Sequence, residues 1–402
     1  MGFSGLFAIG LSGVNAFSTS LEAVSNNIAN TQTTGFKRAQ TDFSNLVTSL
    51  TADGGGIESG GVSANNRTLI AEQGAITRTN AQSDLAIVGD GFFVVSEQDN
   101  ENAALAFTRA GGFRIADDGS LVNAAGYALR GAAIDASGSF SIGSLGGLET
   151  VNINAVPGLA AATSQLMLAG NLSAGLPVGE SVRQNFQVFD ADGTARTLAL
   201  TFTANGGGSF AAAAAFADGA AETIATGTIA FDANGRLDQG ASSFPSDLVI
   251  QTSGGQTVAA NFGALASGPG ATSFSTAETD GAAFAEIAGI TISESGRITA
   301  DFANGLSRDI FQIALANFTN PQGLEDGQNS TFQLTSLAGD LSLDIPQTGR
   351  AGAIEASALE ISTVDIAQEF STLIETQRAY SANTRVITIA DELWQTLTQT
   401  AA

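Results

Sequence analysis

Apolar residues recur at alternating intervals of three and four positions at both ends of the chain, a spacing typical of a helix that meets another helix along a narrow seam. The N-terminal series is Phe3, Phe7, Gly10, Val14, Phe17, Leu21, Val24 and Ile28. The C-terminal series is Ile366, Phe370, Leu373, Tyr380, Ile387, Ala390, Trp394 and Leu397. The sequence therefore predicts one long helix at each terminus, with Gly10 as an interruption of the first.

The predicted start of the C-terminal helix is marked by Ser362 and Asp365. A Ser followed three residues later by an acidic residue is typical of an N-cap with an acidic first turn. Neither Gly nor Pro occurs from there to Ala402. We therefore expect this helix to run nearly to the end of the chain.

The outer faces of the two predicted helices carry few charges. In the N-terminal series Glu22 is the sole charged residue, and Ser, Thr, Asn and Ala occupy the other positions. One interpretation is a helical hairpin within the chain, or packing of both helices on its middle. The other is self-association, because a two-helix unit in water needs a charged outer face to stay soluble. The pattern alone leaves both open.

Between about residues 31 and 359 short alternating runs replace the helical period, which predicts β-structure. Asp-Gly, Asn-Gly and Ser-Gly pairs separate these runs, and each places Gly where a tight turn needs a positive φ. Four hairpins are clearest, at residues 113–121, 188–194, 229–237 and 292–298. The predicted fold class is mainly β with α-helical termini.

Changes in composition suggest the domain boundaries. They fall near 157–179 and 254–281, and the Gly-rich stretch 53–61 indicates a flexible connection. We predict that an Ala- and Thr-rich outer β domain is inserted into an inner one. The predicted domains are a helical domain, 1–32 with 360–402; a linker, 33–70; the inner β domain, 71–165 with 282–359; and the outer β domain, 166–281.

The charged and reactive residues exclude most active-site chemistries. With 15 Lys+Arg against 39 Asp+Glu, the net charge of −24 repels the phosphate backbone, so no nucleic-acid partner is expected. The chain has no His and no Cys, which removes imidazole bases, thiolate nucleophiles and the zinc, haem and copper sites built on them. The Asp-rich turns at 190–193 and 232–235 lack the remaining ligands of an EF-hand. We expect no catalytic, metal or cofactor site.

The hydropathy pattern argues against a membrane protein. No apolar run approaches the roughly 18–20 residues of a membrane span. The first residues lack a basic region and a small-residue cleavage site. We therefore expect no membrane insertion, and either a cytosolic protein or one exported by a route that does not read a cleavable peptide.

Several motifs resemble those of the bacterial flagellar rod and hook proteins. The stretch 25–38 reads SNNIANTQTTGFKR and contains Asn26, Asn27, Asn30, Gly35 and Phe36 of the family motif. The stretches 89–95 (GDGFFVV) and 107–111 (FTRAG) follow in the family's order. Near the C-terminus, 362–366 reads STVDI, with Thr363 in place of the family's Asn. The stretch 377–383 reads QRAYSAN and contains Gln377, Arg378 and Asn383.

The middle of the chain is more similar to the hook branch of this family than to the rod branch. The segment 186–198 resembles the outer domain of hook proteins, and 314–324 resembles their return into the inner β domain. Rod proteins are shorter and lack a second β domain. A distal rod protein of the basal body remains the nearest alternative.

The resemblance implies a structural subunit without catalysis. It implies that the end helices pair as a coiled coil, line a tube and pack on neighbouring copies. In that coiled coil the six N-terminal residues face the six C-terminal ones, or their equivalents on neighbours. These are Phe7, Val14, Phe17, Leu21, Val24 and Ile28, opposite Ile366, Phe370, Leu373, Tyr380, Ile387 and Trp394.

The same resemblance implies where the polymer lies and what it contacts. The expected place is the extracellular hook, continuous with the basal body, where a flexible tube transmits torque from rod to filament. The expected partners are further copies of the chain, the rod, the hook-filament junction proteins, the hook cap and the flagellar export apparatus.

The sequence leaves two other functional classes open. An extracellular hydrolase with paired carboxylates is the best enzyme hypothesis, because Asp and Glu are nearly all the acid-base candidates that the composition leaves. An adhesin or surface-layer protein is a third possibility. It does not explain the paired terminal heptads and ordinarily carries a signal peptide.

Overall fold

A helix lies at each end of the chain, and the elements between them in the sequence are mainly β-strands, as the sequence predicts. Helix α1 spans Phe3–Ala29 and helix α2 spans Ile366–Thr400. The computed structural model describes residues 3–49, 58–97, 105–217, 223–245, 247–249 and 256–400. Short 3₁₀ turns lie at Leu145–Gly147 and Pro321–Gly323.

The strands are numbered in chain order. The first part of the chain holds β1 (Ala39–Ser49), β2 (Glu58–Thr68), β3 (Ile76–Arg78), β4 (Leu85–Val88), β5 (Phe92–Glu97), β6 (Ala106–Thr108), β7 (Phe113–Ile115), β8 (Leu121–Asn123), β9 (Tyr127–Ala133) and β10 (Glu149–Thr150). The middle holds β11 (Leu159–Ala161), β12 (Gln165–Ser173), β13 (Ser181–Phe189), β14 (Ala195–Gly206), β15 (Ser209–Phe216), β16 (Thr223–Ala230), β17 (Asp247–Val249), β18 (Thr257–Asn261), β19 (Leu265–Gly268), β20 (Ser273–Thr279) and β21 (Ala282–Ala285). The last part holds β22 (Ile287–Ile292), β23 (Arg297–Phe302), β24 (Ser307–Ile313), β25 (Leu315–Phe318), β26 (Glu325–Asp326), β27 (Thr331–Gln333), β28 (Leu341–Asp344), β29 (Ala353–Ala356) and β30 (Ala358–Glu360).

The chain divides into two compact units. The first comprises residues 1–156, 290–299 and 309–402, and the second comprises 157–289 and 300–308. The outer β domain predicted from the sequence, 166–281, lies within the second unit.

The first unit is built on antiparallel strands, and a Phe-rich core cluster lies among its buried residues. Strands β9, β5, β6, β27 and β26 follow one another in its sheet, and β25 pairs with both β5 and β28. Phenylalanine rings fill the core, with Phe107 packed edge-on against Phe318 at 4.8 Å between ring centroids. Phe92 contacts Phe318 and Phe332 in the same cluster. Apolar burial therefore dominates this unit.

The second unit packs two sheets around one core. The strand order is β13-β14-β15-β16 in one sheet and β17-β18-β12-β19 in the other, with β20 also paired to β12. Strand β15 shows the strict alternation of a half-buried strand, since its Phe and alternate Ala residues are buried and the residues between them are not. Phe202, Phe210 and Leu166 belong to the shared core.

The four predicted hairpins are confirmed. In the first, Phe113 pairs with Asn123 across a turn in which Gly119 has φ 88°. The turns at 190–194, 232–236 and 293–297 close in the same way, each with a glycine in the left-handed region. Asp190 and Asp232 accept backbone N–H bonds within their own turns, so turn formation accounts for both side chains.

Two local predictions differ from the structure. The stretch 33–70, predicted as a linker, contains β1 and β2, which form an antiparallel ribbon with Ala39 opposite Thr68. Of the Gly-rich part, 53–57 lies outside the described residues and Glu58 already begins a strand. At α2 the N-cap is Asp365 and not Ser362, because the Asp365 carboxylate accepts the N–H bonds of Ala367 and Gln368.

Candidate functional site

The two terminal helices pack against each other in opposite directions. A Cβ atom built on Gly10 would lie 2.9 Å from Ile387 Cγ1, and one on Gly13 would lie 2.6 Å from Asn383 Oδ1. Residue numbers therefore rise along α1 as they fall along α2. Gly10 is not a break in the heptad pattern, because it is a point of close helix approach that a larger side chain would obstruct.

The strip of α2 that faces α1 follows the predicted spacing. Leu373, Tyr380 and Ile387 are half-buried there, and Ala390 is buried. On α1, Val24 is buried, and the other predicted residues that lie half-buried are Val14, Phe17, Leu21 and Ile28. Eight of the twelve residues that the heptads predict as contacts are thus buried or half-buried.

The remaining predicted interface residues are exposed. They are Phe7, Ile366, Phe370 and Trp394. The structure adds exposed apolar residues on α2 that the heptads do not predict, namely Ile374, Val386, Ile389 and Leu393. Each of these eight side chains is between 40% and 54% exposed. The helix pair therefore exposes apolar side chains that its own packing leaves uncovered among the described residues.

The β1–β2 ribbon runs back along α1. The Asn27 side chain anchors its base, because its amide donates to Ala39 O and accepts from Ala39 N, both at 2.8 Å. Further along, the Phe17 and Phe43 rings lie 5.4 Å apart. Near the far end, Ser12 Oγ accepts the N–H of Val62 at 3.1 Å. Two helices and a ribbon thus form one elongated assembly.

A buried carboxylate joins this assembly to the β-structure. Glu360 is fully buried, and its Oε1 accepts from Lys37 Nζ and from Gly74 N at 2.8 Å. Its Oε2 accepts from Arg109 Nη1 at 3.2 Å. Burial lowers the pKa of Lys37, while the charge of Glu360 acts in the opposite direction. We refer to Lys37, Arg109 and Glu360 as the junction cluster.

Backbone hydrogen bonds tie the two helix ends to each other beside the junction cluster. Gly35 N donates to Glu360 O at 2.8 Å, and Thr363 N donates to Phe36 O at 3.1 Å. The Thr363 hydroxyl accepts from Arg38 N at 2.9 Å, so the residue that departs from the family motif has a defined contact. The end of α1 and the start of α2 are therefore held in one register.

The family-motif residues lie in two places. Around the junction, Asn30 bonds the side chain of Asn26 at 2.6 Å, and Gly35 has φ 67° with the Arg109–Ala110 backbone directly against it. On α2, Asn383 faces Gly13. The other two motif residues of α2, Gln377 and Arg378, are exposed.

Sequence reasoning did not find the junction cluster or the ribbon. One signal for the cluster was available, because Lys37 is the sole lysine of the chain and lies within the motif at 25–38. A single lysine contributes little to the solubility of a chain, which indicates a specific structural role for Lys37. Nothing comparable marked Glu360 among 39 acidic residues.

The helices and the ribbon offer contact surfaces. Within the described residues no group of three or more acidic side chains is placed to hold a metal ion. In that same part of the chain neither helix has the length and apolar character needed to cross a membrane. What the arrangement can do is bury apolar surface against another molecule.

Comparison with known families matches the chain at both ends and in the first unit. The model described as "Flagella basal body rod protein" matches residues 7–37. "Flagellar hook protein FlgE/F/G D1 domain" matches 86–157, and "Flagellar basal body rod FlgEFG protein C-terminal" matches 355–400. The first match covers most of α1 together with Lys37, and the last covers Glu360 and α2.

Full-length relatives decide the family. The chain is 34% identical to the flagellar hook protein FlgE of Rhizobium meliloti, over 99% of both chains. It belongs to the flagellar hook protein family. The hook protein of Brucella suis is also 34% identical over 99% of both chains, and that of Escherichia coli is 27% identical over 97% of this chain and 98% of its own. The predicted resemblance to hook proteins is confirmed, and the distal rod alternative is not favoured.

Proposed function

We propose that this chain is the structural subunit of the bacterial flagellar hook and polymerises through its terminal helices. Membership of the hook protein family supports the hook as its place. The observation that carries the mode of assembly is the exposed apolar surface of α2. Contact with a second copy would cover Phe370, Ile374 and Ile389, which the pairing of α2 with α1 leaves about half exposed.

The helix pair is an antiparallel coiled coil in this proposal. The spacing of the α1-facing residues supports it, since buried and half-buried positions on α2 alternate by threes and fours. The positions in this series are Glu369, Leu373, Thr376, Tyr380, Asn383, Ile387 and Ala390, and Thr372 and Ala379 beside them are half-buried as well. The twelve residues predicted as subunit contacts divide accordingly into those that hold the pair together and those that remain for neighbours.

The domain organisation predicted from the sequence is also part of this proposal. The chain leaves the first unit at residue 156 and returns to it at 290, which supports an outer domain inserted into an inner one. The proposed boundaries remain 166–281 for the outer domain and 71–165 with 282–359 for the inner domain. Segment 33–70 then serves as the ribbon that stiffens α1, instead of as a flexible linker.

Mechanically, the polymer is a flexible coupling that transmits torque from rod to filament. Bending requires contacts in the outer layers that exchange easily, and small or polar surface residues suit such contacts. The terminal helices supply the permanent contacts. Family membership further supports the rod, the hook-filament junction, the hook cap and the flagellar export apparatus as partners of the polymer.

Electron microscopy of the purified chain tests this function. Protein concentrated in salt is expected to form short tubes visible in negative stain. Phe370→Glu is expected to stop tube formation because it places a charge in the contact surface. Asp238→Ala, in an exposed loop of the second unit, serves as the control and leaves tubes intact. A wild-type chain that stays monomeric at every concentration would contradict the proposal.

A further inference from the structure

Among the exposed apolar residues of α2, Ile366 and Trp394 continue the line of Leu373, Tyr380 and Ile387 at intervals of seven, and the other five form two separate patches. Phe370 and Ile374, the basal patch, lie near the start of the helix. Val386, Ile389 and Leu393, the distal patch, lie near its end. On a helix with seven residues per two turns, the basal patch is on one side of the strip that faces α1 and the distal patch is on the other. Helix α2 therefore presents two apolar surfaces that point in different directions and lie at different positions along the helix axis.

Each side of α2 is apolar over only half of its length. Beyond the basal patch, the same side continues with exposed Gln377, Ser381 and Thr384. Below the distal patch, the other side carries exposed Gln368 and Glu375. The two sides are therefore complementary halves, because each is apolar where the other is polar.

This arrangement determines how two copies can meet. If neighbours in a tube point the same way and stand level, the basal patch of one copy faces Gln368 and Glu375 of the next. Apolar side chains would then be buried against a carboxylate, which is unfavourable. The centres of the two patches lie about 17 residues apart, which is about 26 Å along a helix. A displacement of that size brings the basal patch of one copy against the distal patch of another.

We propose that subunits assemble by a staggered contact in which the basal patch of one copy binds the distal patch of a second copy, displaced by about 26 Å along α2. The inference rests on the proposed self-assembly and specifies its geometry. Because the two patches differ, the contact is heterologous and continues from copy to copy instead of closing as a dimer.

The size of the patches agrees with a polymer contact. Each patch consists of two or three half-exposed side chains and offers on the order of 200–300 Å², against about 800 Å² per partner in a stable two-protein complex. One such contact is too small to hold an isolated pair. Two contacts per subunit, repeated along a polymer, are stable only when the assembly grows.

Disulfide cross-linking tests the stagger, since the chain has no cysteine of its own. We use the single variants Ile374→Cys and Ile389→Cys, mixed before assembly and oxidised afterwards. Tubes of either variant alone are expected to give no dimer, whereas the mixture gives a 374–389 dimer. The double variant is expected to give a ladder of dimers, trimers and larger species, because the contact propagates.

The matched control also pairs two cysteine variants, but at positions that meet only if the neighbouring helices are not displaced along their axes. Mixing Ile374→Cys with Glu375→Cys places both thiols level in an unstaggered arrangement, and this mixture is expected to give at least tenfold less dimer. More dimer from this pair than from 374 with 389, or dimers from either single variant alone, would overturn the stagger. Tubes that assemble but cross-link in none of the mixtures would also overturn it. A wild-type chain that forms no tubes would instead refute the proposed function.

A second measurement avoids substitutions altogether. A reconstruction of wild-type tubes is expected to show, beside each α2, a neighbouring α2 in the same direction displaced by about 26 Å. A reconstruction in which every neighbouring α2 is level, or in which the basal patch contacts a different element, would reject the inference.

Discussion

Glu360→Gln is expected to destabilise the first unit strongly, because it removes the negative charge from the junction cluster. The substitution preserves the shape of the side chain but leaves Lys37 and Arg109 as unneutralised cations. Their side chains are only 1% and 6% exposed. Removal of one partner from a buried ion pair typically costs about 3–5 kcal/mol.

The titration of Lys37 limits the part of this loss that comes from Lys37 and makes that part depend on pH. Burial already lowers the pKa of Lys37, and loss of the Glu360 charge lowers it further. The unfolded chain keeps the ordinary value of 10.5. Folding with a neutral Lys37 costs about 1.36 kcal/mol for each pH unit by which the solution lies below 10.5. This cost is about 5 kcal/mol at pH 7 and about 2 kcal/mol at pH 9. The stability of the variant should rise with pH between its folded-state pKa and 10.5.

The loss in the free energy of unfolding is measured by urea unfolding of the dilute monomer, with amide hydrogen exchange as the readout. Amides of the second unit serve as an internal reference, because the substitution lies in the first. The control is Glu355→Gln, which breaks an ion pair whose Arg78 is 87% exposed, and should cost less than about 1 kcal/mol. A loss below about 1 kcal/mol for Glu360→Gln at pH 7, or an equal loss at pH 7 and pH 9, would refute the reasoning.

Three further substitutions test the helix pair and the second unit. Gly13→Ala should weaken helix pairing and tube formation because its Cβ would meet Asn383, whereas Gly5→Ala, which has open space, should leave both intact by circular dichroism and sedimentation. Leu373→Asp should abolish polymerisation, and Leu373→Met should preserve it in the same sedimentation assay. Although partial burial acts to raise the pKa of Asp280, hydrogen bonds at the start of β12 hold it below its ordinary value of 3.8. This stabilisation is present above that value and is lost as pH falls through the folded-state pKa, so acid unfolding of the second unit should become less steep in Asp280→Asn.

Features encoded by neighbouring residues were predicted from the sequence. The terminal helices follow from intervals of three and four, and the hairpins follow from turn residues such as Gly119 and Gly235. Each of these signals acts within about ten residues, so it does not depend on the rest of the fold. The same locality explains the error at α2, where both Ser362 and Asp365 satisfy the N-cap pattern and only the backbone geometry selects Asp365.

The sequence by itself determined two helical ends, a β middle and the likeness to flagellar hook proteins, because these rest on local periods and contiguous motifs. Only the tertiary structure decided that segment 58–68 is a strand, since it pairs with β1 and donates a hydrogen bond from Val62 N to Ser12 on α1. It also decided the junction cluster, in which Lys37 meets a carboxylate 323 residues away. Whether an apolar helical residue holds the pair together or stays exposed depends on which face the partner helix covers. A heptad pattern contains no information about that choice for Phe370 and Leu373, because both fit it equally well.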